Sequence, residues 1–259
     1  MKVDRSMNRT LTLLNIAGWI GVVTVNALAN ALPINGYTTG ELSNMYPNLF
    51  TPAGITFSIW AVIYLALFAF VVYTSLRKTE GLKLIGLWFF VSCLANAGWI
   101  LAWHHRMMVL SVFIMLILLF SLVQAYRNLG IGIRKVSPAE KYCVHAPFSI
   151  YLGWITVATV ANITTLLVDI GWNAWGLPPN FWTAAVILVA TMIGLYILHL
   201  NNDILYTLVL VWAFGGIIYQ RYVLDPLPYP VILTTAIASI LLLLFRYFKN
   251  REKIKPAYF

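Results

Sequence analysis

Four asparagines, Asn26, Asn30, Asn96 and Asn162, stand inside apolar stretches where an amide finds no water. Each keeps company with aromatic residues at helical spacing. Asn96, Trp99 and Trp103 follow i, i+3, i+7, and Tyr151, Trp154, Ala158 and Asn162 continue that rhythm to i+11. Phe57, Trp60 and Tyr64 form a third set, and Trp19, Val23, Asn26 and Asn30 a fourth. Residues so spaced share one helix face. A face turned to lipid is aliphatic, with aromatics gathered near the two interfaces. Faces mixing Trp, Tyr and Asn are therefore read as pointing inward. Their chemistry is ring contact and amide hydrogen bonding, which suits a planar or steroid-like ligand in a mostly apolar cavity. The plainer reading of each amide is a hydrogen bond between helices, worth about 0.6–2 kcal/mol, and both readings stay open.

Other chemistries lack their residues. No Asp, Glu, Lys or Arg is expected in the middle of an apolar run, and such groups mark ion pathways and proton relays. A pump or an ion-coupled carrier with a buried carboxylate is disfavoured on that ground, as are acid–base and metal catalysis. His104, His105 and His145 fall at the ends of apolar runs and His199 stands alone, so hydrogen-bonded or interfacial roles are expected for them. Cys93 and Cys143, the only cysteines, indicate neither a disulfide framework nor a metal site.

The elements that must carry these faces follow from composition. The chain is 61% hydrophobic and 10% charged, with mean hydropathy +0.83. A soluble domain carries about a quarter charged residues. A bilayer core of about 30 Å takes roughly 20 apolar residues as a helix, and helices satisfy their own backbone there. Eight spans are expected, near 10–32, 54–76, 83–104, 107–126, 145–168, 181–200, 203–220 and 229–248; a seven-span reading would fuse a pair at His105 or at Asn201-Asn202-Asp203. The fold class is thus all-α, a polytopic transmembrane bundle.

Charge orients it. With eight spans, fifteen of the seventeen Lys and Arg residues fall on one side, leaving Arg106 and Arg221 at the other rim. The positive-inside rule then places both termini in the cytoplasm. The net charge of +9 reports topology and attraction to anionic lipid, not nucleic acid. Ala27-Leu28-Ala29 imitates a signal-peptidase site, but the apolar run before it is long enough to span and is read as retained. Trp172, Trp175, Phe181 and Trp182, around Pro178-Pro179, are read as an interfacial aromatic belt. Leu244, Tyr247 and Lys249 fit a short cholesterol pattern and are read as a cytoplasmic helix end.

The stretch Phe50-Thr51-Pro52, then Phe57, Trp60 and Tyr64, resembles the start of the second helix of the translocator protein family, also called tryptophan-rich sensory proteins or peripheral benzodiazepine receptors. Asn96-Ala97-Gly98-Trp99 resembles its third-helix motif, and Tyr151-Leu152-Gly153-Trp154 with Ala158 and Asn162 its fifth. Ala53 stands where the family has a second proline, and Ile150 where it has one before Tyr-Leu. The motifs cover about residues 10–170. Residues 171–259, read as an additional three-helix segment that ends in a basic tail, have no counterpart in the five-helix family, and the resemblance implies a five-helix ligand-binding bundle over 1–170. It also implies a pocket under the loop joining the first two helices, here 33–53.

The function expected is an integral membrane receptor or carrier, in a bacterial plasma membrane, for a planar hydrophobic molecule: a tetrapyrrole or a sterol-like compound. The ligand-binding set is Asn26, Phe57, Trp60, Tyr64, Asn96, Trp99, Trp103, Tyr151, Trp154, Ala158 and Asn162. No cofactor is required beyond a bound tetrapyrrole, the partners are lipid and a small molecule, and a homodimer stays open. The alternatives are an enzyme that oxidises or degrades such a ligand, and an assembly partner without small-molecule chemistry. Thr51-Pro52 is expected to end the loop, with the proline inside the first helical turn.

Overall fold

Apolar runs without a charged break become long helices. The computed structural model describes residues 2–77, 79–225 and 227–254, and these are helical without a strand. The long helices are α1 (Lys2–Ala31), α3 (Ile59–Leu76), α5 (Trp88–His104), α6 (Met108–Leu129), α8 (Ala146–Asp169), α9 (Pro179–Asn201), α10 (Ile204–Tyr219) and α11 (Pro230–Ile254). Between them lie three short ones, α2 (Thr39–Asn44), α4 (Glu80–Ile85) and α7 (Pro138–Glu140).

Seven of the long helical segments have the length and hydropathy to cross a membrane. The exception is α5, with 17 residues. At 1.5 Å per residue it reaches roughly 25 Å, a few ångströms short of the hydrocarbon core. The span expected from residue 83 is broken because Gly86 adopts φ +56° and ends α4. The two turns where spans were liable to fuse are real breaks: Arg106 has φ +56° and Asn202 φ +48°.

Five helices close a ring. α1 packs on α3 and α5, α5 on α6, α6 on α8, and α8 returns to α3. The remaining three, α9, α10 and α11, pack on one another and join the ring chiefly through α10 on α8. Gly153 allows this approach, since a Cβ there would lie 3.1 Å from the Tyr206 carbonyl oxygen.

Caps fix both ends of the bundle. At the basic end, Asp203 caps α10, its carboxylate accepting from the Leu205 and Tyr206 amides at 3.0 and 3.2 Å. Its second oxygen accepts from the Tyr126 hydroxyl at 2.9 Å. At the opposite end, called here the loop end, the segment after α1 has structure of its own. A 3-10 turn at Ile34–Gly36 precedes α2, which a capping box of Thr38 and Glu41 starts. Hydrogen bonds from Thr38 hold the Glu41 carboxyl below its ordinary value. Pro52 sits before the next turn, Gly54–Ser58, whose N-cap is Ala53. The proline thus precedes the helical turn and does not enter it.

Candidate functional site

The inward stripes meet at the loop end of the five-helix ring. There Phe57, Trp60, Trp99, Trp103, Trp154, Ala158 and Asn162 surround a cavity of about 60 Å³, with Thr39, Ser43, Thr51 and Pro52 of the loop above it. Trp154 is the hub. Its ring meets Phe57 edge-on at 5.9 Å and Trp60 at 6.2 Å. Trp99 and Trp103, both on α5 and both lining the cavity, stack on each other at 5.6 Å. Such ring pairs add about 0.5–1.5 kcal/mol each beyond the area they bury.

The other four expected site residues lie deeper and do not touch the cavity. Tyr64 stacks under Trp60 at 5.5 Å. Asn26 donates to the Asn96 carbonyl oxygen at 2.8 Å, and Asn96 donates to the Tyr151 hydroxyl at 2.8 Å. These amides are occupied as the plainer reading of them requires. Asn162 serves both readings. It lines the cavity, accepts from the Trp99 indole at 3.0 Å, and donates to Ser111 at 2.9 Å. Asn30 is exposed and bonds only back to the Asn26 carbonyl.

One buried donor in the cage stays unpaired: the Trp154 indole N–H. A buried N–H without an acceptor costs about 1–3 kcal/mol. An acceptor on a bound molecule would relieve that cost. Among the described residues no carboxylate, thiol or cationic group lines the cage, and its side chains offer surfaces for stacking and hydrogen bonding. Among the described residues no group of three metal-ligating side chains occurs.

The loop is tied to its frame by His104, in the hydrogen-bonded role expected of it, and by Asn35, which the sequence pattern did not single out. His104 is fully buried, its ring nitrogens 3.0 Å from the Ile34 carbonyl oxygen and 3.0 Å from the Thr39 hydroxyl. Asn35 donates to the His104 carbonyl at 3.1 Å. Burial, reinforced by the nearby Asp169 charge, raises the pKa of Tyr46 in the same loop.

A second, larger cavity of about 1250 Å³ lies beside the first. Ser43, Thr51, Pro52 and Phe57 line both. Its further walls come from the end of α8, the start of α9 and the segment after α10. Trp172 and Trp182 face it, so at least part of the expected interfacial belt is cavity wall. The belt aromatics also pack on each other, with Trp172 and Trp182 at 5.1 Å, and Trp182 donates to the Ala174 carbonyl at 2.9 Å.

Arg221 corrects the sequence reading most plainly. Expected as a rim base, it is only 9% exposed. A π-helical turn, Gln220–Leu224, continues α10 and swings it inward. There it pairs with Asp225 and donates to the Thr51 carbonyl at 3.1 Å. Gln220 donates to the other Asp225 oxygen at 3.0 Å. A base flanked by Gln220 and Tyr222 carries no periodic sign of burial, and no local pattern reveals a partner 170 positions away.

A ring of long apolar helices with an aromatic cage beneath a structured loop defines a polytopic helical membrane protein. A family model described as TSPO-like protein matches residues 12–248, and the chain belongs to that family. The match extends past residue 170, where the motifs end, and takes in the C-terminal spans. Comparisons with curated proteins and with solved structures gave no match.

Proposed function

We propose that this membrane protein is a receptor or carrier for a planar hydrophobic ligand, a tetrapyrrole or sterol-like molecule, held under the 33–53 loop. The observation that carries the reading is the aromatic cage together with the larger cleft that shares its Phe57 wall and its Ser43, Thr51 and Pro52 roof. Four indoles and Phe57 converge on one cavity with a buried, unpaired Trp154 N–H at its wall. Aromatic faces supply flat contact area, and the few polar groups would fix orientation. Within the plasma membrane, the loop end faces away from the cytoplasm on this reading, so the ligand is met from outside or from the lipid.

Phe57 is the informative residue because it lines both cavities. Removing its ring deletes apolar contact at about 25 cal/mol per Å² and an edge contact to Trp154. Phe57→Ala should weaken ligand binding roughly tenfold, equivalent to about 1.4 kcal/mol. The measurement is a porphyrin titration of the purified protein, followed by its absorption band and by tryptophan quenching. Asn30→Ala, on the exposed face, should bind like the parent. An absorption band that does not move on titration of the parent would overturn the reading.

A further inference from the structure

The cage is too small for the ligand class proposed. Drug-sized ligands occupy pockets of roughly 300–1,000 Å³, and the cage offers about 60 Å³. The neighbouring cleft offers about 1250 Å³. It needs both parts of the chain, since the first loop and α8 form one side and residues 172–229 the other. Phe57, Trp172 and Trp182 give it aromatic walls, and Val186 adds an aliphatic one.

Its charge is compensated. Arg221 and Asp225 are the only ionic residues among the described residues lining it, and they pair with each other. Gln220 takes the remaining Asp225 oxygen, the Thr51 and Asn48 carbonyls accept from the second terminal guanidinium nitrogen at 3.1 and 3.5 Å, and the buried Nε–H keeps no partner, a donor that a neutral ligand oxygen could use. A ligand carboxylate would bring a second negative charge to an arginine that Asp225 already neutralises, or would have to displace Asp225 and leave it without its cation. An uncharged ligand oxygen asks for no such exchange. The side-chain amides of Asn44 and Asn180, also on the wall, can serve it.

We propose that the ligand body sits in this cleft, between the five-helix ring and the C-terminal helices, and that the site selects an uncharged planar amphiphile over an anionic one. The cage then receives at most an edge of the ligand past Phe57. The inference rests on the reading of the protein as a planar-ligand receptor.

Protoporphyrin IX and its dimethyl ester share one ring and differ in two charges, which makes them the probes. Both are titrated into the full-length protein in nanodiscs and followed by tryptophan quenching, with empty nanodiscs as background. The ester should bind at least tenfold tighter than the free acid. Val186→Trp, which fills the cleft, should weaken the ester at least tenfold, and Trp182→Ala, which removes a wall, should weaken it too. Size exclusion and thermal unfolding check that each variant is folded. Tighter binding of the free acid would overturn the proposal, as would ester binding indifferent to both cleft variants while the receptor reading stands. If neither probe binds the parent, the receptor reading falls and takes this one with it.

Discussion

Asn96 shows how one amide organises the bundle. It is fully buried and bridges α1 to α8, accepting from Asn26 and donating to Tyr151. In hydrocarbon such bonds are worth about 0.6–2 kcal/mol each, and orphaning a buried partner costs about 1–3 kcal/mol. Asn96→Leu keeps the volume but leaves the Tyr151 hydroxyl without its donor. It should destabilise the protein by about 1–3 kcal/mol, and Tyr151→Phe on that background should recover part of the loss. Unfolding in mixed micelles of increasing denaturing detergent measures both. Additive losses in the pair would show that the two side chains do not act together. The inward direction of this residue was legible because a polar atom recurred on an aromatic stripe. Its division of labour from Asn162 was not. Both sit at i−3 or i+8 from a tryptophan, and only the packed structure shows that Asn162 reaches the cavity while Asn96 is consumed below it.

Helix α10 acts as a strut for the start of α3. Gly216 accepts at its carbonyl from the Ala53 amide at 3.1 Å, and the Trp212 indole donates to the Thr56 carbonyl at 2.9 Å. A Cβ on Gly216 would lie 2.1 Å from the Thr56 hydroxyl oxygen, closer than any tolerated contact. One turn on, Arg221 holds Thr51. The roof shared by cage and cleft is therefore set by the C-terminal helices. Gly216→Ala should push the 51–57 segment away from α10, and Arg221→Gln should release it by removing the charged bond. In both, amide hydrogen exchange across 48–56 should speed up at least tenfold while the buried stretch of α8 stays protected. Unchanged exchange in this segment would show that the strut carries no load. Nothing in the sequence announces this contact. It is made by a glycine and two backbone carbonyls about 160 positions apart, and hydrophobic periodicity reports only which face is apolar, not which neighbour it meets. The eight long helices were legible for the converse reason, since a run of about 20 apolar residues has few other physical outcomes.

Across the whole molecule, the two ends differ in charge as the sequence suggests. Arg77, Arg127, Arg134, Lys135, Lys141, Arg246 and Lys249 gather at the basic end, where Arg134 bridges Glu80 and Glu140 at 2.8 and 2.6 Å. Lys78 and Lys255, counted with them in the sequence, lie outside the described residues. The loop end keeps Arg106 and Arg221, and the second is neutralised by Asp225. Its withdrawal into an ion pair sharpens the asymmetry, because a buried, paired base contributes little to the exposed charge that orients a loop. With α5 counted as a span the helices number eight among the described residues, which returns the chain to the side where it began. The shortness of α5 makes this the point to test, since losing that one crossing would send the later loops to opposite sides. The prediction is that both termini are cytoplasmic and the loop end is not. Reporter fusions at Asn44 in α2 and after Lys255 should therefore land on opposite sides. A fusion in the loop at Lys135 should report the same side as the one after Lys255. Three crossings, α3, α5 and α6, separate Asn44 from Lys135 only if α5 passes through, so agreement between Asn44 and Lys135 would remove α5 as a span and overturn the eight-span topology.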